Sequence, residues 1–265
     1  MPYSKSDLRE AYRAVGVTSG RTVYLTSDLG RLMDFERPGR QAVLDAHLEV
    51  LLDLLGSEGT LVASVASMNL CNTDTPFDPA QTPSFRMGAF SEHLRCQPGV
   101  SRSFHPFVSY AALGRNAAAI TERVARQSFG PETPEARLIE AGALTVSVGL
   151  APNFTCSTVH HVEQCMAVPY RYAKEYLHPV VRGGATVTEA FYQYVWYRDI
   201  DLKRDYARKV FARFEAENPV SYQGVGRAGI WGYETAAFWR SATRALAEDI
   251  YMWCETPPTI RPYRT

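Results

Sequence analysis

The chain has 265 residues, 46% of them hydrophobic and 21% charged, which is enough chain and enough apolar content to bury a sizeable core. Its 28 basic and 28 acidic residues cancel, and no basic block or aromatic run interleaved with Lys and Arg marks a nucleic-acid surface. No apolar run is long enough to span a bilayer, and the opening Met1-Pro2-Tyr3-Ser4-Lys5-Ser6-Asp7 lacks the basic-then-apolar form of a secretion signal.

In chain order, Ser4 to Val15 carries Leu8, Ala11, Tyr12 and Val15 at helical spacing, with Ser4 or Ser6 as the cap. Arg21 to Thr26 reads as a short buried strand followed by the turn Ser27-Asp28-Leu29-Gly30. Gln41 to Leu55 is the clearest helix, with Val43, Leu44, Leu48, Leu51, Leu52 and Leu55 on one face and Gly56 after it. Thr60 to Val65 is the next strand. Strand, helix and strand in that order predict a parallel pair with the helix as crossover. Ser67 to Pro83 is polar and turn-rich, the composition of a functional loop. Asn116 to Gln127 and Pro134 to Ala141 predict helices, and Ala143 to Leu150 a strand. The loop Pro152-Asn153-Phe154-Thr155 then leads into a helix whose N-cap is Ser157 or Thr158. From His178 to Asp201 the pattern alternates, with Gly183-Gly184 as the turn of an antiparallel hairpin. Lys203 to Glu217 and Glu234 to Cys254 predict further helices. With no repeat or linker, the expectation is one α/β domain over residues 1–265, a mixed β-sheet flanked by helices with an antiparallel hairpin in the second half.

The five cysteines (Cys71, Cys96, Cys156, Cys165 and Cys254) are odd in number and contain no C-x-x-C pair. They suit reduced thiols in a cytoplasm, and no metal site is expected. There is no G-x-S-x-G elbow, and Gly224-Val225-Gly226 comes too late in the chain for a dinucleotide fingerprint. The segment Cys156-Ser157-Thr158-Val159-His160-His161-Val162-Glu163 remains. A histidine in the first turn of a helix sits at the core edge, where packing fixes its ring while one nitrogen faces a pocket. Imidazole titrates near neutrality, so such a residue is suited to general-base work. Its neighbour His161 lies about 100° around the helix and points elsewhere.

Four segments, in order, resemble the antibiotic N-acetyltransferase family, whose best-known members are aminoglycoside 3-N-acetyltransferases. They are Leu54-Leu55-Gly56-Ser57-Glu58-Gly59-Thr60-Leu61, Ser103-Phe104-His105-Pro106-Phe107-Val108-Ser109-Tyr110, Phe129-Gly130-Pro131-Glu132-Thr133-Pro134, and Ser157-Thr158-Val159-His160-His161-Val162-Glu163. The order holds over about residues 20–230. The resemblance implies an acetyl-coenzyme-A-dependent transferase with His160 as base and Glu163 beside it. It also implies that Asp199-Ile200-Asp201 is an acid-x-acid motif, Asp201 pairing with His160 and Asp199 holding the amine substrate. Period-two geometry at the end of the alternating strand would place both carboxylates on one side; the other reading is that they end the strand and cap the helix after it.

Acetyl-coenzyme A is the co-substrate the resemblance implies. Its phosphates suit turn amides and hydroxyls, with Ser27, Asp28, Leu29 and Gly30 as the first binding loop and Ser103, His105, Ser109 and Tyr110 as the second. Asp28 departs from the family's usual Ser and sets a carboxylate near a pyrophosphate. His105 precedes Pro106, so its expected role is positional. Thr158 is placed to donate to the thioester carbonyl. The expected acceptor is a small-molecule amine, an amino sugar in either an aminoglycoside or a nucleotide-linked form. The neutral overall charge favours an anionic acceptor over a polycationic one, and the loop from Ser67 to Pro83 with Tyr192, Tyr194, Trp196 and Tyr197 is expected to shape its pocket. Two alternatives remain: a non-catalytic coenzyme-A-binding scaffold, and an acyltransferase with another donor or an oxygen nucleophile. Oligomeric state is not legible.

Overall fold

A computed structural model describes residues 2–261. In chain order the elements are α1 (Lys5–Ala14), β1 (Thr22–Ser27), α2 (Arg40–Leu55), β2 (Thr60–Ser64), α3 (Ala89–Arg95), β3 (Ser101–Arg102), β4 (Tyr110–Gly114), α4 (Ala117–Thr121), α5 (Pro134–Glu140) and β5 (Leu144–Val148). They continue with α6 (Pro152–Thr155), α7 (Thr158–Cys165), β6 (Arg171–Arg182), β7 (Ala185–Trp196), α8 (Arg208–Glu217), β8 (Ser221–Val225), β9 (Ala228–Glu234) and α9 (Thr235–Glu248). Among the described residues no helix is long and apolar enough to cross a membrane.

Seven strands form one mixed sheet in the order β3-β4-β2-β1-β5-β9-β8. Its centre is parallel: β1 pairs with β2 on one side and β5 on the other, in the registers Tyr24 to Val62 and Tyr24 to Thr145. The outer pairs β2–β4, β3–β4, β5–β9 and β8–β9 are antiparallel. The crossover predicted from strand, helix and strand is α2. Alternation along β1 divides the core. Val23 and Leu25 face the helices α1, α2 and α3, while Tyr24 faces the opposite layer with Tyr110, Ile120 and Leu138. A third cluster joins α7, α8 and α9 around Tyr233, Phe211, Phe214 and Phe238. The Gly183-Gly184 turn lies between β6 and β7, which pair over their full length outside the main sheet.

Several boundaries differ from the sequence expectation, each for a local reason. The helix expected to run from Asn116 to Gln127 ends at Thr121, and Arg123 takes a positive φ of 50°. Arg137 on α5 instead takes the carbonyls of Ala119 and Arg123 at 3.0 and 3.1 Å, which a continued helix would use internally. The helix expected from Lys203 begins at Arg208, after Tyr206 and Ala207 adopt left-handed φ of 52° and 57°, and the Asp205 carboxylate accepts from the Lys209 amide at 2.7 Å. The last helix stops at Glu248, six residues before Cys254. Residues 152–155, expected as loop, form one helical turn. The hairpin starts earlier than His178, at Arg171, and finishes at Trp196. That last difference bears directly on the site.

Two buried imidazoles give the fold an acid limit. His47 on α2 places Nδ1 2.6 Å from the Tyr12 hydroxyl, and His105 accepts the Phe107 and Val108 amides at Nδ1. Burial pushes both down from the ordinary 6.5 to about 3. The unfolded chain therefore takes up protons first as pH drops. Their contribution is complete above about pH 6.5 and is lost as pH falls toward 3. The expected result is a melting temperature level on the alkaline side of this window and falling steadily below it, measured by thermal melts across the range.

Candidate active site

The carboxyl ends of β1, β2 and β5 open into a cavity of about 1250 Å³, lined among others by Ser27, Ser64, Leu150, Ser157 and His160. β1 sends its neighbours in sequence and space to opposite sides, so this is the switch point at which open α/β sheets bind ligands. Two glycines hold the β1 loop tight. A Cβ at Gly149, where φ is 78°, would lie 2.2 Å from the Asp28 carbonyl oxygen, and one at Gly88, where φ is 87°, would lie 2.6 Å from that of Ser27.

The base candidate sits on the cavity wall. His160 is in the first turn of α7, its side chain 39% exposed and its ring 5.5 Å from that of Phe129. Its Nδ1 lies 3.2 Å from Oε2 of Glu163, a residue that is 2% exposed. The same Oε2 takes Nη2 of Arg171 at 2.6 Å. Burial alone would raise the Glu163 carboxyl. The hydrogen bond from His160 and the charge of Arg171 outweigh it and hold the group below its usual range. An ionised carboxylate only accepts, so a hydrogen bond across this contact requires the ring proton on Nδ1. The 3.1 Å approach of Arg171 Nη2 to Nδ1 then reflects two donors sharing one oxygen. In that tautomer Nε2 is the nitrogen with a free lone pair.

Arg171 is itself anchored. It is the first residue of β6, 6% exposed, with Nη1 donating to the Tyr194 carbonyl at 2.8 Å and its guanidinium carbon 4.4 Å from the centroid of Trp196. The register pairing Arg171 with Trp196 brings this about. The hairpin thus supplies the ion that fixes the helix-borne His–Glu pair.

A second buried carboxylate lies behind the wall. Glu135 near the start of α5 accepts three hydroxyl protons, from Tyr110 at 2.6 Å, Thr158 at 2.6 Å and Ser157 at 3.2 Å. Tyr24 in turn donates to Ser157 at 2.8 Å. This network ties the N-terminus of α7 to β1, β4 and α5, and so sets the height at which His160 meets the cavity.

The remaining predicted residues separate into those at the cavity and those away from it. Ser27, Asp28, Leu29, Gly30 and Tyr110 line it. The Asp28 carboxylate is taken by Arg31 at 3.0 Å, which relieves the conflict a free carboxylate would create beside phosphates. Ser103, His105 and Ser109 are buried and structural: the Ser103 hydroxyl accepts from the Tyr110 amide, and the Ser109 hydroxyl donates to the Val65 carbonyl. Thr158 is 1% exposed and gives its proton to Glu135, so it has none to offer a thioester carbonyl. His161 is buried, with Nδ1 accepting the Gly130 amide, and it points away from His160 as the helical spacing requires. Tyr194, Trp196 and Met68 reach the cavity; Tyr192 instead bonds Glu175 on the hairpin surface.

Asp199 and Asp201 are not brought to His160. The strand ends at Trp196, so period-two geometry does not extend to them. Asp201 is exposed and its carboxylate accepts from the Thr259 amide, the Thr259 hydroxyl and the Ile260 amide at 2.9, 2.6 and 3.0 Å. Asp199 is exposed and outside the cavity wall. The carboxylate at His160 is Glu163. Asp201→Asn is accordingly expected to change kcat less than about threefold, within the range of an exposed substitution, in a steady-state assay with wild type alongside.

Sequence reasoning missed Arg171 and Glu135. For Arg171 a signal existed: an arginine at the head of an alternating run, across from a tryptophan, in what becomes a hairpin. Glu135 had none beyond its place after the Thr133-Pro134 helix start. Among the described residues no cluster of His, Cys, Asp or Glu is arranged to hold a metal ion.

Residues 26–247 match the family model described as aminoglycoside 3-N-acetyltransferase. The chain is 30% identical to aminoglycoside N(3)-acetyltransferase VIII of Streptomyces fradiae, over 77% of this chain and 73% of that relative. It is 29% identical to aminoglycoside N(3)-acetyltransferase IX of Micromonospora chalcea, over 86% and 85%. Among solved structures, aminoglycoside acetyltransferase AAC(3)-Xa superposes with a TM-score of 0.80 at 24% identity, covering 93% of each chain. A binary complex of AAC-IIIb with CoASH gives 0.80 at 23% identity, over 94% and 97%; both share the fold. The chain belongs to the aminoglycoside 3-N-acetyltransferase family and is an acyltransferase that uses acetyl-coenzyme A.

Proposed function

We propose that the protein acetylates the amine of an amino sugar, with His160 as general base and Glu163 as its charge partner. The observation that carries this reading is the His160 ring at the cavity wall with its Nδ1 3.2 Å from a buried carboxylate. Acetyl-coenzyme A supplies the activated acetyl group as a thioester.

An amine is mostly protonated at neutral pH and attacks only through its lone pair, so a base must remove a proton before or during bond formation. The ammonium loses one proton to solvent, and Nε2 of His160 takes the second as the neutral amine attacks. The positive charge that then spreads over the ring is stabilised by Glu163, and Arg171 keeps Glu163 ionised and fixed. As nitrogen bonds to the acetyl carbon and the carbon–sulfur bond breaks, the same ring can return the proton to the departing thiolate. Glu163 thus holds a proton at Nδ1 and never carries one itself. The donor fits the loop Ser27–Gly30 and the three arginines Arg37, Arg40 and Arg86, which line the cavity near it and suit the phosphates of coenzyme A. The aminoglycoside acetyltransferases among the relatives support the acceptor class.

The test is thiol release from acetyl-coenzyme A by purified protein, with and without a panel of amino sugars. Release that requires an amino sugar supports the reading. Release that is the same with no amine present contradicts it.

A further inference from the structure

Summed over the sequence the charge is zero, but the cavity wall is strongly cationic. Two acids line it, and both are paired: Asp28 with Arg31 at 3.0 Å and Asp34 with Arg227 at 2.7 Å. Arg171 is neutralised by Glu163. That leaves Arg37, Arg40, Arg86 and Arg204 on the wall, none with a carboxylate in ion-pair range among the described residues.

These four fall into two sets. Arg37, Arg40 and Arg86 belong to the donor side: Arg40 opens α2, and Arg86 stands two residues before Gly88, which packs on the Ser27 carbonyl. Arg204 stands against the hairpin. Its guanidinium carbon is 4.4 Å from the centroid of Trp196, the ring on which Arg171 also stacks at 4.4 Å. Arg171 in turn approaches His160 at 3.1 Å. Arg204 is therefore one aromatic ring removed from the group that holds His160, exposed and held in place by a β-bridge from its backbone to Cys254.

Building on the transferase reading, we propose that the acceptor is an amino sugar carrying a phosphate ester, with Arg204 as the residue that binds the phosphate. A polycationic acceptor would bring several ammonium groups against this wall and find no free carboxylate to receive them. A guanidinium stacked on an indole keeps its N–H edge directed outward, which suits the bidentate grip arginine has on phosphate. Trp196 lies against it, and Tyr194 and Phe154 line the same cavity, which adds apolar surface for a sugar ring or a base. The cavity exceeds the volume of a typical single-ligand pocket, which leaves room for donor and acceptor together.

The experiment measures binding rather than turnover, by calorimetry on full-length protein saturated with coenzyme A. The probes are glucosamine, glucosamine 1-phosphate, UDP-glucosamine and gentamicin. The proposal expects both phosphate-bearing probes to bind at least about tenfold tighter than glucosamine, and gentamicin to bind most weakly. Arg204→Ala should abolish that preference while leaving the affinities for glucosamine and coenzyme A unchanged, and Arg204→Lys should restore part of it. Equal affinity for the two phosphate probes points to a simple sugar phosphate; tighter UDP-glucosamine binding points to a nucleotide-linked sugar. Tighter binding of gentamicin than of the phosphate probes overturns the proposal. So does an Arg204→Ala variant that keeps the preference, or one that loses coenzyme A instead. Binding in the expected pattern with no acetyl transfer from acetyl-coenzyme A would count against the transferase reading and leave the phosphate site standing.

Discussion

His160→Ala is expected to lower kcat by about 10²–10⁴-fold, the usual contribution of a positioned general base, while KM for acetyl-coenzyme A stays within a small factor. The split follows from where the ring sits. His160 lines the cavity, and its contacts run to Glu163, Arg171 and Phe129 on the protein side. The donor loop at Ser27–Gly30 is held independently, by the close packing of Gly149 and Gly88. Removing the imidazole therefore takes away proton transfer and leaves the donor-binding surface intact. Steady-state kinetics with an amino-sugar acceptor read both parameters. Wild-type kcat in the variant would take His160 out of the mechanism. A rise in KM for acetyl-coenzyme A with kcat unchanged would make it a binding residue.

Arg171→Ala is the second large effect, and it falls on stability as well as rate. The substitution leaves Glu163 at 2% exposure with only the His160 ring against it. Breaking one side of a buried ion pair costs about 3–5 kcal/mol, because the remaining charge has lost both water and partner. The hairpin suffers too, since Arg171 bonds the Tyr194 carbonyl and stacks on Trp196. Denaturant unfolding should register the loss as a lower midpoint. Adding Glu163→Gln to Arg171→Ala removes the orphaned charge, so the double variant should recover stability relative to the arginine variant alone. It should not recover activity, because the His160 ring then has no anion to stabilise its charged form. The pair also sets a pH sign. Glu163 titrates below its ordinary value in the folded state, so its stabilising contribution is complete above the usual carboxylate range and fades as pH falls through it.

Much of the scaffold was legible because it is written in local patterns. The α2 face, the buried β1 run and the Gly183-Gly184 turn each depend on residues a few positions apart, and all three stand where periodicity puts them. His160 and Glu163 were legible for the same reason, being three residues apart on one helix. What failed depended on distant parts of the chain. The helix expected to Gln127 stops at Thr121 because Arg137, on another element, takes its carbonyls. Asp201 looked like the partner of a catalytic histidine, but the strand that would have aimed it ends at Trp196 and Thr259 claims its carboxylate. Arg171 stands at the head of an alternating run, but its role comes from hairpin register and from contact with a different helix, which the run alone does not give. The overall charge balance hinted at an anionic acceptor, but only the folded cavity separates its paired acids from its unpaired arginines.

The central claim concerns a single proton. Nδ1 of His160 stands near both an acceptor, Glu163 at 3.2 Å, and a donor, Arg171 at 3.1 Å, and the ring is a base toward the cavity only if Glu163 receives the Nδ1 proton. Nitrogen-15 NMR of the neutral His160 side chain, assigned by comparison with His160→Ala, reads the tautomer directly. The account predicts the Nδ1–H form with Nε2 unprotonated. An Nε2–H form, with Arg171 donating to Nδ1, would leave no lone pair facing the substrate and would contradict it.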